Sequence, residues 1–147
     1  MILHAGFIAL RSGGAWRGVL VSGGSGTGKS DLMLRALDAG FRLVADDRTV
    51  AWASGGRLFG RAPETLSGLI ELRGLGVLAE PPLSLAEASL MVRCEPLAVE
   101  LDRMPEPEWA TIAGVRIPLY RLHGLDASAP AKLSRTVRQL GQGPCEG

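Results

Sequence analysis

The stretch that decides the fold is Gly23-Gly24-Ser25-Gly26-Thr27-Gly28-Lys29-Ser30, which fits the pattern G-x-x-x-x-G-K-[ST]. Glycines let the backbone turn tightly, so that several N–H groups point at phosphate oxygens. A helix that begins at the end of the stretch adds the positive end of its dipole. In this pattern Lys29 is a mobile charge for the β- and γ-phosphates, and the Ser30 hydroxyl is a ligand for Mg²⁺. We therefore predict that these residues form a phosphate-binding P-loop.

The sequence on either side of the P-loop supports this prediction. Residues 18–22 form a short apolar run, which predicts a central strand buried on both faces. A helix with one apolar face is predicted from about 29 to 39. Glycine accounts for 20 of the 147 residues, which raises the chance that a glycine-rich turn matches the pattern by accident. Lysine, however, occurs only at positions 29 and 132, and the first is the position that the pattern requires.

Length and composition limit the remaining possibilities. A chain of 147 residues predicts one domain, over 1–140, followed by a flexible tail at 141–147. The net charge of +1 excludes a general basic surface for nucleic acid or an anionic membrane. Cys94 and Cys145 favour a reducing compartment, and the sequence has no secretory signal or membrane-spanning run. We predict a cytoplasmic protein with neither nucleic acid nor membrane as a partner.

Two carboxylates follow the next predicted strand. Residues 41–45 form an apolar run that ends at Asp46-Asp47. Because ligands of an open α/β sheet collect beyond the carboxyl ends of its strands, we expect the pair on the same rim as the P-loop. One carboxylate can hold Mg²⁺ through oxygen or water, and the other can accept a hydroxyl proton. An acidic turn flanked by Arg48 is the alternative.

Four further candidate residues carry weaker signals. Glu71 and Arg73 lie in Glu71-Leu72-Arg73-Gly74-Leu75-Gly76, where they are predicted to share one face of a strand. A carboxylate beside a guanidinium suits a metal ligand and a charge stabiliser, although the local sequence alone favours a surface ion pair. His4 lies in an apolar stretch that predicts a strand over 2–10, and by itself it is typical of a core histidine. Arg103 by itself is typical of a surface arginine.

The second half of the chain is predicted to be mainly β. Glycines and prolines mark its turns, and alternating apolar residues mark its strands. The remaining predicted elements are, in order, a hairpin of 49–53 with 57–59, a short helix over 63–69, strands at 89–94, 97–101 and 109–122 with a turn at 113–114, and a terminal helix over 129–140.

Together, these elements resemble the catalytic domain of HPr kinase/phosphorylase, a bacterial enzyme that phosphorylates a serine of the phosphocarrier protein HPr and also removes the phosphate. The most specific parts are the spacing from Lys29 to the paired aspartates and the run Glu-x-Arg-Gly-Leu-Gly. The resemblance implies an α/β fold with a P-loop nucleotide-binding core of the phosphoenolpyruvate carboxykinase-like type, with mixed sheets and few helices. It covers the chain from His4 to about Leu140, with motifs in family order at His4, 23–30, 43–48 and 70–76.

The resemblance also implies roles for the candidate residues. His4 is an active-site residue near the phosphates. One of Asp46 and Asp47 is the proton acceptor, and Asp47 is favoured. Ser30 and Glu71 match the family's Mg²⁺ ligands. Among the arginines, Arg73 falls within the signature for both activities, and Arg103 matches a later active-site arginine in a looser alignment.

The implied function is that of an ATP-dependent protein serine kinase that also carries out phosphorolysis of phosphoserine-HPr. The implied small molecules are ATP and Mg²⁺, with inorganic phosphate or pyrophosphate in the reverse or an alternative reaction, and the implied assembly is a homo-hexamer. From the resemblance we expect three departures from the family pattern: absence of the usual N-terminal domain, an extended hairpin tip at 11–17 and a shortened C-terminal segment. Two alternatives are a P-loop kinase of a small metabolite, and a non-catalytic nucleotide-binding regulator that docks on HPr or a sensor kinase.

Overall fold

The computed structural model describes residues 1–141. Within these residues, eleven strands and two α-helices form, together with a single 3₁₀ turn at Glu64–Leu66. The elements are β1 (Ile2–Leu3), β2 (Gly6–Ser12), β3 (Ala15–Gly23), α1 (Lys29–Asp38), β4 (Arg42–Ala45), β5 (Thr49–Ser54), β6 (Arg57–Arg61), β7 (Leu69–Leu72), β8 (Gly76–Ala79), β9 (Ala86–Cys94), β10 (Glu108–Ile112), β11 (Val115–Leu122) and α2 (Ala129–Gly141).

Nine of the described strands form one mixed sheet, in the order β1-β5-β6-β9-β3-β2-β4, with β11 also paired to β9 and β10 to β11. Strand β9 runs parallel to β3 and to β11, whereas the other pairings are antiparallel. Strands β7 and β8 form a separate two-stranded sheet. The mixed α/β architecture with few helices confirms the predicted fold class.

Strand direction determines which loops meet. Strand β2 is antiparallel to both of its neighbours, β3 and β4, so these two run in the same direction, as do β9 and β11. The carboxyl ends of β3, β4, β9 and β11 therefore lie along one edge of the sheet, and the amino end of β2 lies between β3 and β4. This edge receives the P-loop after β3, the paired aspartates after β4 and His4 ahead of β2.

The core lies on both faces of the central strand β3. Val19 and Val21 belong to a buried cluster that includes Leu32 of α1 and Leu133 of α2, so the helices cover this face. Leu20 points to the opposite face and belongs to a second cluster formed with residues of the outer strands. The prediction of a central strand buried on both faces is confirmed, and the two clusters fix β3 as the support of the P-loop.

Several predicted elements agree with the structure within a few residues. Helix α1 ends at Asp38, close to the predicted 39, and α2 begins at the predicted Ala129. The hairpin over 49–61 and the turn at Ala113-Gly114 are present, and β2 and β3 pair as far as Ser12 and Ala15, as expected for an extended hairpin tip. Among residues 1–141, no helix is long and apolar enough to cross a membrane.

Three predicted elements were wrong. The strand expected over 2–10 is divided into β1 and β2, because the backbone leaves the ladder at His4 and Ala5. The helix expected over 63–69 is a single 3₁₀ turn, since Ser67 already has an extended backbone. The strand expected over 97–101 is a loop, in which Val99 N–H donates to the Pro96 carbonyl at 3.0 Å and the side chains of Leu97 and Val99 are exposed. Of the tail predicted over 141–147, residues 142–147 lie outside the described part.

Candidate active site

The P-loop folds as a tight turn with its backbone accessible. The Thr27 hydroxyl donates to the Gly24 carbonyl at 2.7 Å, which closes the turn beneath three exposed residues, Gly24, Ser25 and Gly26. Gly26 adopts a left-handed backbone with φ of +77°, and a β-carbon there would contact nothing, so glycine is required for conformation rather than for space. Helix α1 starts at Lys29, and its free N–H groups and dipole face the loop. The arrangement suits the binding of a phosphate chain.

Lys29 is held by a carboxylate that follows strand β4. Its Nζ lies 2.8 Å from Asp47 Oδ1, and Asp47 is the more exposed partner, at 62% against 17% for the lysine side chain. The lysine bond lowers the pKa of Asp47, partial burial opposes this, and the nearby His4 adds to the lowering. Asp47 also has a left-handed backbone, with φ of +65°, which is uncommon outside glycine. The fold therefore presents Asp47 as an ionised partner for Lys29.

Asp46 is in a different environment from its neighbour. Its Oδ2 accepts the backbone N–H of Glu71 at 2.9 Å, which ties the end of β4 to strand β7. Partial burial raises the pKa of Asp46, the N–H bond opposes this, and the carboxylates of Asp47 and Glu71 raise it further. Two adjacent carboxylates thus have pKa values shifted in opposite directions, a pattern that is typical of acid–base sites.

The remaining candidate residues at this edge of the sheet are His4, Ser30 and Glu71. His4 is exposed, so the core position expected from its local sequence was wrong, and it lies near enough to influence the Asp47 carboxylate. Ser30 is exposed in the first turn of α1, and Glu71 is exposed on β7, beside Asp46. The structure thus brings His4, Lys29 and the paired aspartates together with Glu71.

The two candidate arginines are placed differently. Arg73 does not share a strand face with Glu71, because β7 ends at Leu72 and Arg73 belongs to the turn that Leu75 N–H closes on the Leu72 carbonyl at 2.9 Å. Over residues 1–141 the side chains of Glu71 and Arg73 form no ion pair, so the prediction of a surface ion pair between them was wrong as well. Arg103 is exposed in the loop between β9 and β10, and the described contacts do not connect it to the carboxylates.

The oxygen donors at this edge suit Mg²⁺. Asp46, Asp47, Glu71 and the Ser30 hydroxyl are hard ligands of the kind that the ion prefers. In the described chain, no three His, Cys, Asp or Glu side chains are grouped closely enough to hold a metal alone. An ion bound through one or two carboxylates and the phosphates of a nucleotide fits this donor set.

Sequence reasoning missed a second group of residues around the P-loop. The turn His123–Asp126, which follows β11, packs against Thr27 and Gly28, and Arg35 of α1 donates to its carbonyls. The available signal in the sequence was Gly124, two residues after the end of the long predicted strand. Cys94 was predicted to be core, and it is buried at the end of β9, where burial raises the pKa of the thiol to about 11.

Comparisons with known proteins show which family the chain is similar to. Residues 9–81 match the family model of the HPr Serine kinase C-terminal domain, a range that includes the P-loop, both aspartates and Glu71. An HPr kinase/phosphorylase of Limosilactobacillus reuteri (strain DSM 20016) is 35% identical over 131 residues, which are 82% of this chain and 39% of that protein. An HPr kinase/phosphorylase of Streptococcus pyogenes serotype M1 is 37% identical over 131 residues, or 82% of this chain and 40% of that protein.

A solved structure extends the similarity to almost the whole chain. The Hpr(Ser) kinase/phosphatase from Coxiella burnetii superposes with a TM-score of 0.79 at 27% sequence identity, covering 97% of this chain and 99% of that one. By contrast, the chain spans 28% to 39% of the length of the first curated relatives it matches.

Proposed function

The chain is related to the HPr kinase/phosphorylases through their C-terminal domain, and we propose that it transfers the γ-phosphoryl group of ATP to a serine of HPr. The observation that carries this proposal is the meeting, at one sheet edge, of the P-loop lysine with a carboxylate pair, with Lys29 Nζ 2.8 Å from Asp47. A phosphate cradle with a proton acceptor beside it is the minimum that phosphoryl transfer to a hydroxyl requires. Residues 1–140 act as one catalytic domain in this proposal.

The P-loop would bind and neutralise the donor. Backbone N–H groups over 24–30 hold the phosphate oxygens, and Lys29 stabilises the charge that develops as the γ-phosphoryl group leaves. Ser30 and Glu71 would hold Mg²⁺, which when bound would supply charge neutralisation at the phosphates. The Lys29 ammonium pairs with Asp47 in this structure and would pair with the phosphates of a bound nucleotide instead. Nucleotide binding would therefore release the Asp47 carboxylate from its ion pair with Lys29.

The paired aspartates then divide two tasks. Asp47 is the more accessible of the two and is the residue that Lys29 releases, so we assign it the proton of the incoming serine hydroxyl. Asp46 is fixed by the Glu71 N–H and holds the end of β4 in place. In the reverse reaction inorganic phosphate attacks the phosphorus of phosphoserine and takes up the phosphoryl group as pyrophosphate, while Asp47 returns the proton to the leaving serine oxygen. His4 and the arginines Arg73 and Arg103 stabilise negative charge in this proposal, as the family resemblance implies.

Transfer of labelled γ-phosphate separates this proposal from its alternatives. HPr and its serine-to-alanine variant are incubated with the chain, labelled ATP and Mg²⁺, and excess inorganic phosphate is added afterwards. Serine-dependent labelling that phosphate reverses is expected. Labelling of a small hydroxyl metabolite in place of HPr would indicate a metabolite kinase, and ATP binding without transfer to any acceptor would indicate a regulator.

Assembly and location belong to the same proposal. The resemblance implies a homo-hexamer, for which light scattering would give about six times the 15.5 kDa of the chain. A monomeric mass together with full activity would contradict this part alone. The cytoplasmic location predicted from composition suits a reaction that uses ATP and HPr.

A further inference from the structure

The turn His123–Asp126 is in direct contact with the second half of the P-loop. A β-carbon on Gly28 would lie 2.7 Å from Leu125 Cγ, and one on Gly124 would lie 2.8 Å from the Thr27 carbonyl oxygen and 3.1 Å from that of Gly28. Both approaches are closer than ordinary side-chain contacts, so glycine is needed on each side. The position of this turn therefore limits where the backbone of Thr27 and Gly28 can lie.

Arg35 of α1 holds the turn in place. Its Nη1 donates to the Asp126 carbonyl at 2.8 Å, and its Nη2 donates to the Gly124 carbonyl. Its Nε donates to Asp31 Oδ2 at 2.8 Å, one helical turn earlier, and this orients the guanidinium. A guanidinium is a planar fork of fixed geometry, so it presents separate N–H groups to two carbonyls of one turn, an arrangement that the compact ammonium of a lysine does not reproduce. Asp31 is exposed, whereas the guanidinium side chain is 28% exposed.

The same turn is connected to the loop that carries Arg103. His123 Nε2 lies 2.6 Å from the Val99 carbonyl oxygen, and Glu95 N–H donates to the Leu122 carbonyl at 2.8 Å. The turn itself is closed by Asp126 N–H on the His123 carbonyl at 3.0 Å. Removal of Arg35 would leave these bonds in place, so its expected effect is loss of the contact with the P-loop rather than loss of the turn.

We propose that Arg35 is a positioning residue for the nucleotide phosphates. It shares no hydrogen bond with residues 23–30, and it acts through the carbonyls of Gly124 and Asp126, which hold the turn against Gly28. The turn in this way keeps the N–H groups at the start of α1 in their phosphate-facing arrangement. The consequence for ATP binding rests on the proposed function, whereas the effect on the backbone of the loop does not.

The test compares Arg35→Met, Arg35→Lys and the matched control Asp31→Asn. The methionine keeps the apolar stem and loses both carbonyl bonds, and the lysine can restore one of them. The control removes the charge of Asp31 but keeps an amide oxygen that can accept the Arg35 Nε–H and orient the guanidinium. Calorimetric titration with MgATP, well below the melting temperature of each variant, is expected to show roughly tenfold weaker binding for Arg35→Met, an intermediate loss for Arg35→Lys, and a change within about twofold for Asp31→Asn.

Amide hydrogen exchange of the peptide spanning 24–30, without nucleotide, is the second readout. Faster exchange in Arg35→Met but not in Asp31→Asn is expected, and it can be measured even if the wild type does not bind ATP. Absence of ATP binding by the wild type would contradict the proposed function and not this inference. Unchanged exchange and binding in Arg35→Met, with only a lower melting temperature, would overturn it. Equal losses in Asp31→Asn and Arg35→Met would also overturn it, since the carbonyl bonds would then not be the cause. If Arg35→Met does not fold, Arg35→Lys carries the comparison.

Discussion

Replacing Gly124 with alanine tests the contact between the P-loop and the turn behind it. The backbone of Gly124 is not left-handed, so the substitution adds no backbone strain. The added β-carbon, however, would lie 2.8 Å from the Thr27 carbonyl oxygen and 3.0 Å from Cys94 Sγ. The P-loop backbone must move to make room. Forced insertion of a methyl group into a packed site costs about 1–3 kcal/mol, which in a chain of this size lowers the melting temperature by about 2–12 °C.

The assay is thermal unfolding followed by titration with MgATP, with Gly24→Ala as the stability control. A β-carbon on Gly24 would meet nothing closer than 4.0 Å, so this variant is expected to melt within about 2 °C of the wild type. Gly124→Ala is expected to melt earlier and to bind ATP more weakly than the wild type. If Gly124→Ala had the stability and ATP affinity of the wild type, the prediction would be wrong, because the P-loop backbone would then accommodate a β-carbon at 2.8 Å from the Thr27 carbonyl oxygen without cost.

Three further predictions follow from the site. Lys29→Met should abolish transfer yet lower stability by no more than about 1 kcal/mol, since the Asp47 carboxylate with which Lys29 pairs is exposed to solvent; measurable turnover in this variant would contradict the role of the lysine. The fold raises the pKa of Asp46, so the ionised carboxylate lowers the stability of the protein at pH values above its ordinary pKa of 3.8. Asp46→Asn should therefore melt at a higher temperature than the wild type at pH 7, and this difference should disappear as the pH falls below about 4; a difference that does not change with pH would refute this. Burial raises the pKa of Cys94 to about 11, so in a Cys145→Ser background iodoacetamide should modify Cys94 only after unfolding, and rapid native labelling at pH 8 would be inconsistent with that burial.

Local signals were sufficient for the elements that form the site. The apolar run predicts the strand, the glycine-rich pattern predicts the loop, and the amphipathic pattern that follows predicts the helix. All three elements are present in that order. The meeting of the loop with Asp46 and Asp47 follows from a general rule on the carboxyl ends of strands. It is realised here because β3 and β4 run in the same direction on either side of β2.

Other features depend on tertiary contacts that no local pattern encodes. The apolar sequence over 97–101 suits a strand. In the structure, however, the Leu122 carbonyl accepts the Glu95 N–H, and the chain then turns at Pro96. His4 lies at the sheet edge and not in the core, because strand pairing is interrupted between β1 and β2, where this residue is located. The opposite pKa shifts of Asp46 and Asp47 require the Glu71 N–H and Lys29, which come from other elements. Arg35 carries no motif, and its role is visible only once the turn at Gly124 is placed against the P-loop.

The intact mass of HPr after incubation with this chain, ATP and Mg²⁺ tests the central claim most directly. Parallel reactions contain the wild type, Lys29→Met and Asp47→Asn. We expect the mass of HPr to increase by a single phosphate with the wild type and by none with either variant. Unmodified HPr with the wild type, under conditions where the chain binds ATP, would contradict the proposal that this sheet edge is an HPr kinase site.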